Sequence, residues 1–181
     1  TDSTQQAAKR MQQLIGEMLT LADVERPEAP LELTQVDIAS LVMKAALELE
    51  SVAYEKGVAL DTELPDSLLG RSSENYLQRI AASLMENAIK YEPRGGQVLV
   101  TLTRSRRHAI LEVRNRSTHI SQEDLPHVFD RFYRSDKSRQ SKTGGHGLGL
   151  AITKEMVTKL GGTIQASSGE DGTTFSVKLP L

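Results

Sequence analysis

Two stretches of this chain combine residue types suited to holding a magnesium nucleotide. Leu84-Met85-Glu86-Asn87-Ala88-Ile89-Lys90-Tyr91 puts a carboxylate, a carboxamide and a cation on one helical stretch. The Asn87 side-chain oxygen can reach a divalent metal, and Lys90 can reach a phosphate. Downstream, Gly144-Gly145-His146-Gly147-Leu148-Gly149-Leu150 runs straight into Ala151-Ile152-Thr153-Lys154-Glu155-Met156-Val157. Alternate glycines at Gly145, Gly147 and Gly149 let backbone N–H groups approach an anion, and a helix N-terminus favours phosphate. A flexible linker would use the same glycines without leading them into an apolar helix. Asn is a poor helix former and needs a partner when buried, so Asn87 could also be a core residue satisfied by backbone. Glu86 and Lys90 beside it, with the glycines downstream, favour the metal. Glu86 reads equally as a water-mediated metal ligand, as a base for an incoming nucleophile or as a solvent-facing helix charge.

The elements that must position these residues follow from the hydrophobic pattern. Thr4, Ala7, Met11, Leu14, Met18 and Leu21 recur at alternating spacings of three and four, the seam of a helix in a bundle or coiled coil over residues 4–25. Arg26-Pro27-Glu28-Ala29-Pro30 breaks it as a short stiff linker. The expected organisation is therefore 1–25 as a bundle helix, 26–30 as linker and 31–181 as the main domain. In that domain, Leu31–Asp37 reads as a short strand. Ile38–Lys56 reads as a helix burying Leu41, Val42, Ala45, Ala46, Leu49 and Val52. Val58–Leu64 is a strand, Ser73–Tyr91 a helix capped by Ser73, and Gln97–Thr103 and Ala109–Val113 a hairpin. A long polar segment over about 116–146 reads as a lid. Leu148–Leu160 is a helix ending at Gly161-Gly162, and Thr163–Ala166 with Thr173–Leu179 a final hairpin. Helices followed by antiparallel hairpins give an α+β sandwich, with helices covering one sheet face.

Composition bounds the function. The 181 residues are 38% hydrophobic and 25% charged, with a net charge of −2 and no cysteine. That charge gives no electrostatic case for nucleic acid, and the lack of cysteine excludes disulfides and thiolate metal sites and fits a reducing compartment. No apolar run approaches the roughly 18–20 residues needed to cross a bilayer, so no direct membrane contact and a cytoplasmic location are expected of this segment. The chain starts Thr1-Asp2-Ser3 rather than with Met, which suggests an excised part of something longer.

Three motifs, in order, also carry a family resemblance. Glu-Asn-Ala-Ile-Lys-Tyr at 86–91, Phe-Asp-Arg-Phe-Tyr-Arg at 129–134 and Gly-His-Gly-Leu-Gly-Leu at 145–150 resemble the asparagine, phenylalanine and second glycine boxes of bacterial sensor histidine kinases. The resemblance covers roughly residues 5–181. It implies the two-layer α/β sandwich of the histidine kinase and gyrase-type ATPases, preceded by one bundle helix. It implies that Asn87 binds Mg²⁺ bridging the ATP phosphates, with Lys90 and Tyr91 near those phosphates; Tyr91 also reads as a packing aromatic. The first glycine box is matched by Val113-Arg114-Asn115-Arg116-Ser117-Thr118-His119-Ile120. This match puts Asn115 and Ile120 at the nucleotide, with Asn115 in place of the Asp that accepts from the adenine amino group. A carboxamide oxygen accepts that bond more weakly than a carboxylate, so Asn115→Asp is expected to tighten binding. Ser117 and His119 replace the two glycines of this box, as Ser83 replaces a second Asn. The Asn, with Phe-Tyr-Arg-Ser-Asp-Lys-Ser-Arg at 132–139, is similar to heavy-metal sensor kinases, copper and silver ones in particular.

In the lid, Phe129 and Phe132 lie three apart and can fold one turn onto the domain. Arg131, Arg134, Lys137, Arg139 and Lys142 make the lid cationic; of these Arg131 and Arg134, with Phe132, are the choices for nucleotide contact. Leu148 is expected beside the nucleotide. Gly172-Thr173-Thr174-Phe175 resembles a final family signature, with the Thr173 hydroxyl near the asparagine helix.

The resemblance implies a protein histidine kinase whose partners are ATP, its own dimerisation domain in a homodimer and a response regulator, with an inner-membrane sensor as the parent protein. Such kinases phosphorylate a His on the first helix of a dimerisation hairpin. None of His108, His119, His127 and His146 has that context, and residues 5–24 resemble only the second hairpin helix. The chain is thus expected to be a catalytic domain with a remnant of the dimerisation domain, unable to phosphorylate itself. A nucleotide-binding or interaction module without kinase activity is the competing reading, and a gyrase- or chaperone-type ATPase a third.

Overall fold

The computed structural model describes residues 1–28, 30–135 and 145–181. Helix α1 (Asp2–Glu25) is packed along its C-terminal part. Leu21 and Val24 are buried there, whereas Met11, Ile15, Met18 and Leu19 are exposed. Arg26 leaves the helix with extended backbone, as a residue ahead of proline must.

Strand β1 (Thr34–Asp37) leads into α2 (Ile38–Glu48) and α3 (Glu50–Lys56). The single helix expected over this stretch is two. Leu49 N donates to Ala46 O, a tightened turn that breaks the register. Leu49 stays in the core, but beyond the break Ala53 is buried and Val52 is half exposed, so the apolar face shifts by one residue. Strand β2 (Ala59–Glu63) follows, then β3 (Leu69–Ser72), which the sequence pattern does not show. It is four residues without apolar alternation, and it pairs antiparallel with β1 in a small separate sheet. Asp37 Oδ1 accepts from Leu68 N at 2.9 Å and ties the start of α2 to this sheet.

Helix α4 (Glu74–Tyr91) begins at Ser73, whose Oγ accepts from Tyr76 N at 3.2 Å. Then come β4 (Gln97–Ser105), β5 (His108–Asn115), a 3₁₀ turn at Leu125–His127, α5 (Gly149–Lys159), β6 (Thr163–Gly169) and β7 (Gly172–Pro180). Both hairpins run longer than predicted and close on two-residue turns.

The main sheet has the order β2-β4-β5-β7-β6; β2 and β4 are parallel and the other pairs antiparallel. Alternate residues of the central strands face the helices: Val98, Val100 and Leu102, then Leu111 and Val113, then Phe175, Val177 and Leu179, all buried. Against them lie Ile80, Leu84, Met85 and Ile89 of α4 and Met156 and Val157 of α5. Each fully buried side chain of this size stabilises the fold by roughly 1.5–3 kcal/mol. The result is a two-layer α+β sandwich with α4 at the centre of the helical layer. Among the described residues no helix is long and apolar enough to cross a membrane.

Candidate nucleotide-binding site

Helix α4 carries the site. Its C-terminal end is held by Lys56, whose Nζ donates to Ile89 O at 2.6 Å and to Lys90 O. A cation there complements the negative end of the helix. Burial pushes the Lys56 ammonium below the usual lysine value, and the charge of Glu92 opposes that shift. On another face of α4, Ser83 Oγ accepts from Thr153 Oγ1 at 2.8 Å, which joins α4 to α5. Two turns further, Lys90 Nζ lies against Gly145, so close that a Cβ on Gly145 would stand 2.7 Å from it. These contacts bracket Asn87, one turn from each on the same face. Asn87 therefore faces the start of α5, and its carboxamide has no hydrogen-bond partner among the described residues. Desolvation lowers the Lys90 pKa. The charges of Arg134 and Lys56 push the same way, and Glu17 opposes them.

The glycines opposite are built for close approach. Helix α5 starts at Gly149 without a side-chain cap, so its first N–H groups are available to an anion. Nothing lies within 4 Å of where a Cβ of Gly149 would stand. Gly147 is different: its φ is +74°, and a Cβ would sit 2.7 Å from Phe132 C and Tyr133 O. Phe132 N donates to Gly147 O at 2.9 Å, so the phenylalanine and glycine boxes are pinned through backbone while the Phe132 ring stays exposed. Leu148 is fully buried, and its side chain seats the loop on the domain. What this residue offers a ligand is its backbone.

The other end of the site is the edge of the main sheet. Asn115 closes β5 almost fully buried, and its Nδ2 donates to Ala88 O at 2.7 Å and to Glu92 Oε2 at 2.9 Å. Register places Asn115 beside Thr173 of β7. Thr173 Oγ1 donates to Thr118 O at 2.7 Å and lies 3.0 Å from Ser168 Oγ, which accepts from Ile120 N at 2.9 Å. Asn115, Ile120 and Thr173 thus share one hydrogen-bonded corner. Only glycine fits at 172, where φ is +102° and a Cβ would fall 1.8 Å from Asn115 O.

The remaining candidates are dispersed. Arg131 pairs with Glu25 of α1, and His146 Nδ1 lies 3.5 Å from Glu17 Oε2. The charge of Arg134 reaches Lys90. Tyr91 is at the surface with its ring centroid 5.2 Å from Lys90 Nζ. Glu86 is exposed, yet desolvation by the surrounding protein raises its carboxyl above the usual carboxylate range. Lys137, Arg139 and Lys142 lie outside the described residues. Sequence reasoning missed Lys56, Glu17 and Glu92. Nothing in the sequence around Glu92 marks it, since its partner Asn115 is 23 residues away. Among the described residues no three His, Cys, Asp or Glu cluster to hold a metal unaided. A magnesium here would take its oxygens from phosphate, water and Asn87. A groove of about 820 Å³ opens elsewhere, between α2 and the β2 edge, and it brings none of these residues together.

A profile of the family described as "Histidine kinase-, DNA gyrase B-, and HSP90-like ATPase" matches residues 72–181. The chain belongs to this family. Within it, this ATPase domain groups with the sensor histidine kinases. It is 36% identical over 176 residues to the sensor-like histidine kinase SenX3 of Mycobacterium tuberculosis, covering 96% of this chain and 42% of that protein. It is 34% identical over 171 residues to the sensor histidine kinase CusS of Escherichia coli, covering 94% and 35%. The chain therefore spans less than half the length of these curated relatives. In fold, it superposes on full-length ShkA in complex with AMPPNP with a TM-score of 0.83 at 22% identity, covering 99% of this chain and 37% of that one. It superposes on the histidine kinase ThkA in complex with the response regulator protein TrrA with a TM-score of 0.79 at 19% identity, covering 97% and 48%.

Proposed function

We propose that the chain binds Mg·ATP between α4 and the Gly145–Gly149 loop and is the catalytic part of a sensor histidine kinase. It delivers the γ-phosphoryl to a histidine on a dimerisation helix outside this sequence. The observation that carries the reading is the pairing of Lys90 with Gly145 across from the uncapped start of α5, with Asn87 bracketed between. Asn87 would hold the magnesium, which when bound neutralises phosphate charge and aligns the triphosphate. Lys90 and the first amides of α5 hold the phosphates in place. Asn115 accepts from the adenine amino group, with Ile120 against the base and Thr173 fixing the loop that carries it. Glu86, its proton affinity raised by desolvation, takes the proton of the incoming imidazole. Catalysis is then mostly positioning and charge neutralisation.

Support for the nucleotide and the signalling role comes from the AMPPNP complex of ShkA and the response-regulator complex of ThkA, both of this fold. On this reading the parent protein is a homodimeric inner-membrane sensor that passes its phosphoryl group to a response regulator. Calorimetry of Mg·ATP, with and without Asn87→Ala, tests the site. The variant should lose the metal-dependent part of the affinity, roughly tenfold or more. Equal Mg·ATP affinity in the variant would remove Asn87 from the metal.

A further inference from the structure

Glu92 is a buried carboxylate that the nucleotide reading leaves without a task. Every donor around it is accounted for. Oε1 accepts from Ser117 N at 2.9 Å and from Gln97 N at 3.3 Å. Oε2 accepts from Asn115 Nδ2 at 2.9 Å and lies 3.1 Å from Thr118 Oγ1, whose proton it shares with Tyr91 O. The residue is fully buried, at the end of the helix that carries Asn87 and Lys90.

This arrangement decides which way Asn115 points. A carboxamide has a donating end and an accepting end, and its orientation is set by its neighbours. Here both neighbours of the amide nitrogen, Ala88 O and Glu92 Oε2, accept only. They consume both Nδ2 protons, so Nδ2 is held inward and Oδ1 is the end left over. Among the described residues nothing donates to Oδ1.

We propose that Glu92 is a positioning residue that locks the Asn115 amide with Oδ1 toward the base, and so makes the site read a 6-amino purine against a 6-oxo purine. The inference rests on the nucleotide reading above, and specifically on Asn115 facing the purine. An oxygen fixed in that place accepts from an exocyclic amino group. Against a 6-oxo group it sets acceptor on acceptor with no means of rotating away, since rotation would turn Nδ2 from two acceptors. Ala88 O alone would bias the amide. Glu92 makes the bias strict and places a negative charge behind it, which strengthens Oδ1 as an acceptor.

Glu92→Gln separates this role from mere support. Ser117 N and Gln97 N require the new carboxamide to keep its oxygen on their side. Its NH₂ must therefore face Asn115 Nδ2, donor against donor. Asn115 can relieve that conflict by turning over, but it then gives up its bond to Ala88 O, so the two orientations compete and only the turned one presents Nδ2 to the base. Mg·ATP and Mg·ITP, which differ at the purine 6-position and N1, are titrated calorimetrically into wild type and variant. The wild type should prefer ATP by about tenfold or more, and Glu92→Gln should lower that ratio severalfold, the remainder being held by Ala88 O. The double variant Glu92→Gln with Asn115→Asp should restore it in part, because a carboxylate at position 115 accepts from both the NH₂ of the new carboxamide at position 92 and the adenine amino group, while its oxygen opposite Ala88 O keeps the affinity below wild type.

An equal loss for both nucleotides, leaving the ratio unchanged, makes Glu92 a structural residue and overturns the proposal. Wild-type binding without preference overturns it too, while the nucleotide reading stands. Failure of the wild type to bind either nucleotide defeats both. If Glu92→Gln does not fold, NMR of the wild type decides. The Asn115 side-chain NH₂ protons should be protected from exchange before nucleotide is added and keep their shifts when Mg·ADP binds. A large shift of these protons on binding means that Nδ2, not Oδ1, faces the purine, and overturns the lock.

Discussion

Lys90 carries a charge that the fold makes harder to hold. Desolvation and two neighbouring cations bring its folded-state pKa below the ordinary 10.5. Between those two values the unfolded chain binds more protons, so stability rises as pH climbs through that interval. A polyphosphate laid beside the ammonium reverses the shift. At a pH inside the interval, nucleotide binding should take up a fraction of a proton, read as a dependence of the calorimetric heat on buffer ionisation enthalpy. Lys90→Met should abolish the dependence, and heats that match across buffers in the wild type would place Lys90 away from the phosphates. Asn115→Asp changes sign once Glu92 is known. The sequence alone favours tighter binding, but the new carboxylate would face Glu92 Oε2 across the 2.9 Å now spanned by a hydrogen bond. Loss of stability by about 2 kcal/mol or more is expected, measured by thermal unfolding. Asn87, Lys90 and the glycines could be picked out from residue type and order. Glu92 could not, because its partner lies 23 residues away and their meeting depends on which strand end abuts α4.

At the scale of elements, the loop before α5 holds two glycines with opposite reasons to exist. Gly147 has a positive φ and no room for a Cβ, whereas the space beside Gly149 is open. Gly147→Ala should therefore cost about 1–3 kcal/mol of stability through strain and loss of the Phe132 contact. Gly149→Ala should leave stability unchanged or slightly higher, by up to about 1 kcal/mol, since Ala is the better helix former. It should still weaken Mg·ATP, because its methyl occupies the phosphate approach. Thermal unfolding paired with calorimetry separates the two, and equal destabilisation by both would mean that the loop is only a linker. The helices and hairpins around this loop were readable from period and punctuation. The break at Leu49 was not, because Leu49 itself keeps to the apolar pattern and only the phase after it moves. Strand β3 was invisible because Leu69-Gly70-Arg71-Ser72 owes its pairing to β1 rather than to any pattern of its own.

For the whole molecule, none of the four histidines lies on an α-helix. His108 opens β5, His119 is in the loop after it, His127 bonds Asp130, and His146 faces Glu17. Incubation of this chain with labelled ATP should yield no acid-labile phosphohistidine. Label on any of the four would place the acceptor inside the catalytic domain. The same contacts of α1 have a mechanical meaning. Glu25 pairs with Arg131 and Glu17 lies near His146 without a hydrogen bond, on the two sides of the undescribed stretch, and the two glutamates stand about 12 Å apart along one rod. A turn or slide of that rod shifts both contacts at once. Pairs of this kind are worth about 0–1 kcal/mol each. Leu21 and Val24, both buried, hold the rod to the domain more firmly than either charge does, so the charged contacts tune where the rod lies rather than whether it stays.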